Sequence, residues 1–80
     1  MRVRIDIRRK EGLSDPEGVT TQRALHDLGY TDVTGAHFGR TIFLDMDGQD
    51  AAAATDEVDR MCRQLLANPV IEDFEIEIVQ

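Results

Sequence analysis

The sequence has few of the residues that build covalent cross-links or metal clusters. It contains one cysteine and two histidines among its 80 residues. The single cysteine, Cys62, excludes an intrachain disulfide and any metal site with several cysteine ligands, and such usage is typical of a reducing compartment. His26 and His37 have no His, Cys or carboxylate neighbour at ligand spacing, so we expect packing or surface roles for both. A small metal-dependent enzyme would therefore lack its ligands.

Basic residues are also scarce. Nine Lys and Arg side chains stand against 16 Asp and Glu side chains, which gives a net charge of −7. Because counterion release from nucleic acid needs clustered basic groups, we expect no nucleic-acid partner. The imbalance is concentrated in the second half, since residues 1–40 carry +1 and residues 41–80 carry −8.

Long hydrophobic runs are absent. No stretch approaches the roughly 18 apolar residues that a membrane helix needs. The first residues, MRVRID, carry charges where a signal peptide has an apolar run. We therefore expect no membrane span and a cytoplasmic location.

The composition indicates one folded domain over residues 1–80. Apolar residues make up 41% and charged residues 31% of the chain, a globular balance. A chain of this size buries only roughly 60% of its unfolded surface, so a monomer would be marginally stable. Burial against a partner or a second copy is expected.

The first half of the chain predicts a strand, a helix and a hairpin. Alternation of apolar and charged residues over 2–8 predicts the strand. Asp15-Pro16 is typical of a helix start, and Gly29 of a helix end. Residues 33–38 and 41–47 are predicted as two strands that form a hairpin around Gly39-Arg40.

The second half predicts a helix and a final strand. Asn68-Pro69 must end the helix, because proline removes a backbone donor. In the final strand, alternate apolar residues face inward. The predicted inner residues are Ala51, Ala54, Val58, Met61, Cys62 and Leu65 in the helix, and Phe74, Ile76 and Ile78 in the strand.

The order β-α-β-β-α-β predicts an α+β fold, a two-layer ferredoxin-like sandwich with an antiparallel sheet and both helices on one face. In this topology the first and last strands are neighbours, which places the outward residues Arg2, Arg4 and Arg8 opposite Glu75 and Glu77. The helix-free face would carry Phe43 and Val79. It is the candidate subunit interface.

No catalytic constellation is recognisable in the sequence. Cys62 lies on the apolar stripe and is expected to be a buried, inert thiol. Strand alternation divides the acidic run of residues 72–77 between two faces, and the glycines near residue 40 lack the context of a phosphate loop. Arg40 is an exposed cation that is available to a partner or an anion. These features indicate a small acidic interaction module with no catalytic residues.

Two segments of the sequence form recognisable motifs. The segment MCRQLLANPVIEDF at residues 61–74 is the more specific, while Asp15-Pro16-Glu17-Gly18 alone would be weak. Together they resemble the PurS family, the small subunits of phosphoribosylformylglycinamidine synthase. Arg40 stands where the family more often has Lys. The other matching residues are Gln22, Ala24-Leu25, Leu28-Gly29-Tyr30 and Gly39.

The resemblance implies a non-catalytic subunit in de novo purine synthesis. It would bridge a glutaminase subunit and a large synthetase subunit and aid ammonia transfer, as a homodimer or tetramer. The complex would use ATP and Mg²⁺, and this chain would bind no cofactor. Partner or oligomer contacts would involve Arg40, Phe43, Asn68, Glu72 and Asp73. A ferredoxin-like ligand-binding regulatory module, with a polar pocket at a subunit interface, is the alternative.

Overall fold

The computed structural model describes residues 1–80, which form three strands and two helices. A π-helical turn, Cys62–Leu66, extends the second helix. The elements are β1 (Arg2–Arg9), α1 (Pro16–Asp27), β2 (Gly39–Asp45), α2 (Ala51–Met61) and β3 (Glu72–Ile78).

Strand β1 is the centre of an antiparallel sheet of order β2-β1-β3. Ile5 lies opposite Ile42 on one side and Ile76 on the other. Val3, Ile5 and Ile7 share one face, and all three are fully buried. The predicted alternation of the first strand is confirmed, as is the inward orientation of apolar residues in the last strand.

Helix α2 covers this apolar face of the sheet. Val58 and Cys62 are fully buried in the same core as the β1 side chains. The predicted burial of Cys62 is confirmed, and that burial raises the pKa of its thiol. Asp50 begins the helix, because its Oδ1 accepts hydrogen bonds from the amides of Ala52 and Ala53 at 3.1 and 3.2 Å.

The π-helical turn changes which side chains face the core. The Ala67 amide donates to the Cys62 carbonyl at 2.9 Å, a bond that spans five residues instead of four. Leu65 is 82% exposed, while Leu66 packs against the core. The prediction that Leu65 faces inward is wrong, because the wider turn shifts the inward position by one residue.

Helix α1 has the predicted ends. Asp15 accepts a hydrogen bond from the Gly18 amide at 3.0 Å, and Pro16 is the first helical residue. At the other end Gly29 has a φ of 103°, and the Tyr30 amide donates to the Leu25 carbonyl at 3.0 Å. These features form a Schellman motif, which satisfies carbonyls at the helix end.

Helix α1 does not lie on the sheet, so the predicted packing of both helices on one face is wrong. No α1 residue belongs to the hydrophobic core, and Gly18 is its one buried residue. The helix packs instead against residues 33–38. A side chain at position 18 would overlap the Ala36 carbonyl, so glycine is required for this close approach.

Residues 33–38 are not a strand, and the predicted hairpin is therefore also wrong. Side chains on and near α1 form hydrogen bonds with backbone groups of residues 33–38. The Phe38 amide donates to Asp15 at 2.8 Å, and the Val33 carbonyl lies 2.6 Å from Nε2 of His26. Residues 39 and 40 begin β2 instead of forming a turn. The α+β class with an antiparallel sheet is confirmed, with three strands.

The helix-free face of the sheet is mostly charged. Arg4 and Arg8 lie near glutamates of β3 as predicted, whereas Arg2 pairs with Asp45 of β2. Such exposed pairs contribute little stability, because water and salt screen the attraction between the charges. The distances are 2.8 Å for Arg2–Asp45, 4.0 Å for Arg4–Glu77 and 2.8 Å for Arg8–Glu75.

The molecule is elongated. Its radius of gyration is 16.2 Å, against roughly 12 Å for a compact domain of this length. Its extents are 49 × 26 × 15 Å, and eight of 80 residues are buried. Neither helix is long and apolar enough to cross a membrane.

Gly18→Ala tests the contact between α1 and residues 33–38. Helix propensity alone predicts a gain of up to about 1 kcal/mol, because alanine favours a helix over glycine. We expect a loss of about 1–3 kcal/mol instead, since the methyl group would push Ala36 away. Urea unfolding measures the change, and proteolysis should cut residues 30–38 faster. Increased stability would contradict the contact.

Candidate functional site

Arg40 connects three parts of the fold. Its Nη1 and Nη2 donate to the two carboxylate oxygens of Glu72 at 2.6 and 3.1 Å. Nη2 also donates to the Leu66 carbonyl at 2.7 Å. Arg40 therefore ties the start of β2 to the end of the π-helical turn and the start of β3. The expected free cation is in fact paired, and its role in contacting a partner stays a prediction.

Glu72 is the centre of this network. It also accepts a hydrogen bond from the Asn68 amide at 2.8 Å, and 14% of its side chain is exposed. The hydrogen bonds from Arg40 and from Asn68 lower the pKa of Glu72 below its ordinary value. The carboxylate is thus held ionised by a bidentate guanidinium and a backbone donor.

Asn68 shapes the turn before β3. Its Oδ1 accepts from the Val70 amide at 3.1 Å, and its carbonyl accepts from the Glu72 amide at 2.8 Å. The predicted stop at Asn68-Pro69 is confirmed, since helical structure ends at Leu66. We call Arg40, Leu66, Asn68 and Glu72 the β3-entry network.

The other two candidate contact residues lie outside the β3-entry network. Asp73 is on the helix-free face, 3.8 Å from Lys10. Phe43 is on the same face, opposite Arg4, and is 58% exposed. The structure thus brings together three of the five candidates, and nothing in it tests their contacts with a partner.

Two exposed apolar side chains flank the β3-entry network. Leu65 and Val70 are 82% and 79% exposed, although both belong to ordered turns. Sequence reasoning missed both, because Leu65 was assigned to the core and Val70 was read only as part of a motif. Exposed apolar groups on a rigid turn are typical of a docking surface.

The chemistry of the site favours binding over proton transfer. Arg40 and Glu72 are held in charge-assisted hydrogen bonds, and Cys62 is buried away from them. No three His, Cys, Asp or Glu side chains are grouped in a way that could hold a metal ion. The arrangement supplies a rigid, ion-paired turn with apolar side chains exposed beside it.

Glu72→Gln tests the β3-entry network, with Glu75→Gln as the matched control on an exposed ion pair. We expect a loss of about 1–3 kcal/mol for Glu72→Gln at pH 7, and less than about 1 kcal/mol for the control. A lowered pKa means that the ionised Glu72 stabilises the fold above its ordinary pKa, near 4.5, and that this stabilisation disappears as pH falls through the folded-state value. The difference in the free energy of unfolding between wild type and Glu72→Gln should therefore become smaller below about pH 4.5. Urea unfolding at several pH values measures this difference. A difference that does not change with pH would contradict the ion pair.

Comparison with known proteins identifies a family across the whole chain. The family described as "PurS: Phosphoribosylformylglycinamidine (FGAM) synthase" matches residues 2–80. The phosphoribosylformylglycinamidine synthase subunit PurS of Methanocaldococcus jannaschii is 43% identical over 72 residues, which are 90% of this chain and 87% of that protein. The corresponding subunit of Bacillus subtilis is 35% identical over 77 residues, 96% of this chain and 90% of that protein.

Solved structures agree with the sequence comparison. The crystal structure of M. jannaschii PurS, one of the subunits of formylglycinamide ribonucleotide amidotransferase, has a TM-score of 0.89 at 38% identity and covers 99% of this chain and 95% of that one. A chain in the structure of PurLQS from Thermotoga maritima has a TM-score of 0.86 at 28% identity, covering 98% and 95%. Sequence and fold agree over nearly the full length, and the chain therefore belongs to the PurS family of phosphoribosylformylglycinamidine synthase subunits.

Proposed function

We propose that this chain bridges a glutaminase subunit and a large synthetase subunit of phosphoribosylformylglycinamidine synthase and aids the passage of ammonia between them. The observation that carries the proposal is the full-length match to PurS, including a chain of the PurLQS structure. The complex would act in the cytoplasm, in purine biosynthesis. The single, buried cysteine fits a reducing compartment.

The chain's own part in the reaction is structural. A nucleophile or general base needs an accessible group with a suitable pKa, and burial both shields the Cys62 thiol and raises its pKa. ATP and Mg²⁺ would be bound by the larger subunits, and this chain would bind neither. Its contribution would be the rigid surface around the β3-entry network, with Leu65 and Val70 as apolar contacts.

A sealed interface has a physical advantage in a glutamine-dependent ligase. Ammonia released into bulk water at neutral pH is protonated and diffuses away, and ammonium is not a nucleophile. Closing the path between two active sites excludes that water. A small subunit that docks on both larger subunits can fix their relative position and so keep the path closed.

We further propose that the chain acts as a homo-oligomer. Helix α1 leaves its apolar side chains outside the core, and Leu28 is 74% exposed. The radius of gyration exceeds that of a compact domain by about 4 Å. A second copy would cover α1 and give the small core the additional burial that it needs.

Light scattering at micromolar concentration tests the oligomer, and we expect a mass of at least two chains. Leu28→Asp should shift the mass toward one chain if α1 lies in the interface, because a buried aspartate would be unpaired. Phe43→Asp tests the helix-free face in the same way. A wild-type protein that is monomeric at this concentration would refute the oligomer.

Reconstitution with the two larger subunits tests the bridging function. We expect glutamine-dependent synthesis to need this chain, whereas synthesis driven by added ammonium salt should proceed without it. Val70→Asp should lower the glutamine-dependent rate about tenfold or more by placing a charge in the docking surface, and Asp73→Ala and Arg40→Ala test the neighbouring positions. Arg60→Asp, on the exposed side of α2, is the control. Full glutamine-dependent rates from the two larger subunits alone would overturn the bridging function and favour the regulatory-module alternative.

A further inference from the structure

The connection between β2 and α2 is fixed at both of its ends. Before it, the Met46 amide donates to the Met1 carbonyl at 2.8 Å, and the Met46 carbonyl accepts from the Met1 amino group at 3.0 Å. After it, the Asp50 side chain caps α2 by accepting two backbone amides. Between these anchors lie residues 47–49, which we call the β2–α2 connection.

The β2–α2 connection itself is not held by the rest of the chain. Asp47, Gly48 and Gln49 are all exposed, and no backbone hydrogen bond involves them. The Asp47 carboxylate belongs to no ion pair. A backbone without buried contacts or internal hydrogen bonds changes conformation at little cost in free energy. The connection can therefore rearrange while Met46 and Asp50 stay in place.

Asp47 also has a glycine as its next residue. It is the only one of the ten aspartates in the sequence with this neighbour. A Cβ atom built at Gly48 would have no atom within 4 Å, so the space around this residue is open. Glycine adds no side chain and leaves the backbone its widest choice of conformations. The Asp47 carboxyl group can therefore approach the amide nitrogen of Gly48 without obstruction.

This pair of groups can close a five-membered ring. The Gly48 nitrogen attacks Cγ of Asp47, a C–N bond forms, and the amide proton and the carboxyl hydroxyl group leave as water. Water then opens the resulting succinimide by breaking one of its two C–N bonds. Breaking the bond to Cγ restores aspartate, whereas breaking the bond to the former backbone carbonyl carbon gives isoaspartate. One water is released and one is consumed, so the reaction needs no other reactant.

The neighbouring aspartates are placed differently. Asp45 and Asp59 are held in ion pairs, at 2.8 and 2.9 Å. The Asp50 carboxylate is occupied by helix amides, and Asp56 lies within α2. Of these five aspartates, only Asp47 combines a carboxylate without a partner and a glycine on its C-terminal side. Ring closure should therefore be concentrated at this one bond.

Isoaspartate would change the length of the β2–α2 connection. The chain then runs through Cγ, which adds one backbone atom, or about 1.5 Å. Because three residues separate the two anchors, the extra length displaces Met46 or Asp50 from its hydrogen bonds. A displaced Asp50 would leave amides at the start of α2 without their acceptor.

We propose that the Asp47–Gly48 bond is a site of spontaneous isoaspartate formation in the folded protein, and that the product weakens the attachment of α2. The inference goes beyond the proposed function and does not depend on it, since it concerns the chemistry of this chain alone.

Ageing the intact chain at physiological temperature and neutral pH tests the site. Trypsin releases residues 41–60 as one peptide with five aspartates, and electron-transfer mass spectrometry distinguishes isoaspartate from aspartate at each position. We expect isoaspartate to accumulate at position 47, at a rate within a few-fold of that in the isolated peptide 41–60. Asp47→Glu should abolish this accumulation, because glutamate must close a larger ring. Asp56→Glu, an exposed position in α2, is the control and should leave the rate unchanged.

Urea unfolding of the same samples tests the consequence for α2. The aged wild type should contain a fraction that unfolds at lower urea concentration, and this fraction should equal the fraction of isoaspartate. Aged Asp47→Glu should unfold like the fresh variant.

Three results would overturn the proposal. Isoaspartate spread evenly over the five aspartates would remove the special role of the Asp47–Gly48 bond. A rate in the folded chain far below that of the isolated peptide would show that the fold protects the bond. Unfolding that is the same before and after isoaspartate forms would reject the effect on α2.

Discussion

The fold depends on the burial of one strand. Val3, Ile5 and Ile7 are fully removed from water because β1 pairs on both edges and α2 covers their face. Each such side chain contributes roughly 1.5–3 kcal/mol by leaving water. With only eight buried residues in the chain, these three supply a large part of the core, and the positions of β2, β3 and α2 all follow from contact with them.

Helix α1 is held by a different kind of interaction. Polar contacts and one close backbone approach fix it to residues 33–38, through Asp15, Gly18 and His26. Asp15 joins the two segments because its two oxygens accept from two separate amides. Asp15 also lines the surface cavity at the end of β1, so this one residue contributes both to the attachment of the helix and to the wall of that cavity.

Sequence patterns predicted those elements whose structure is determined by their own side chains. The alternation in β1 and β3, both ends of α1 and the stop at Asn68-Pro69 each depend on local chemistry, and these predictions are confirmed. Residues 33–38 carry an apolar pattern that resembles a strand, but their backbone groups form hydrogen bonds with side chains that lie 7, 11 and 23 residues away in sequence. The pairing of Arg40 with Glu72 likewise joins residues 32 positions apart. Neither the hydrogen bonds of residues 33–38 nor the Arg40–Glu72 pair produces a periodic pattern in the sequence, so periodicity could not predict them.

The π-helical turn makes the length of the connection between α2 and β3 important. The turn holds one residue more than a regular helical turn would need, and that residue moves Leu65 to the surface and aims the Leu66 carbonyl at Arg40. A relative with a single-residue deletion here would return to regular α-helix and place the equivalent of Leu65 in the core. It would lose an exposed apolar side chain and the carbonyl acceptor together. Insertions and deletions in this segment should therefore alter the exposed apolar surface of related chains without altering the sheet.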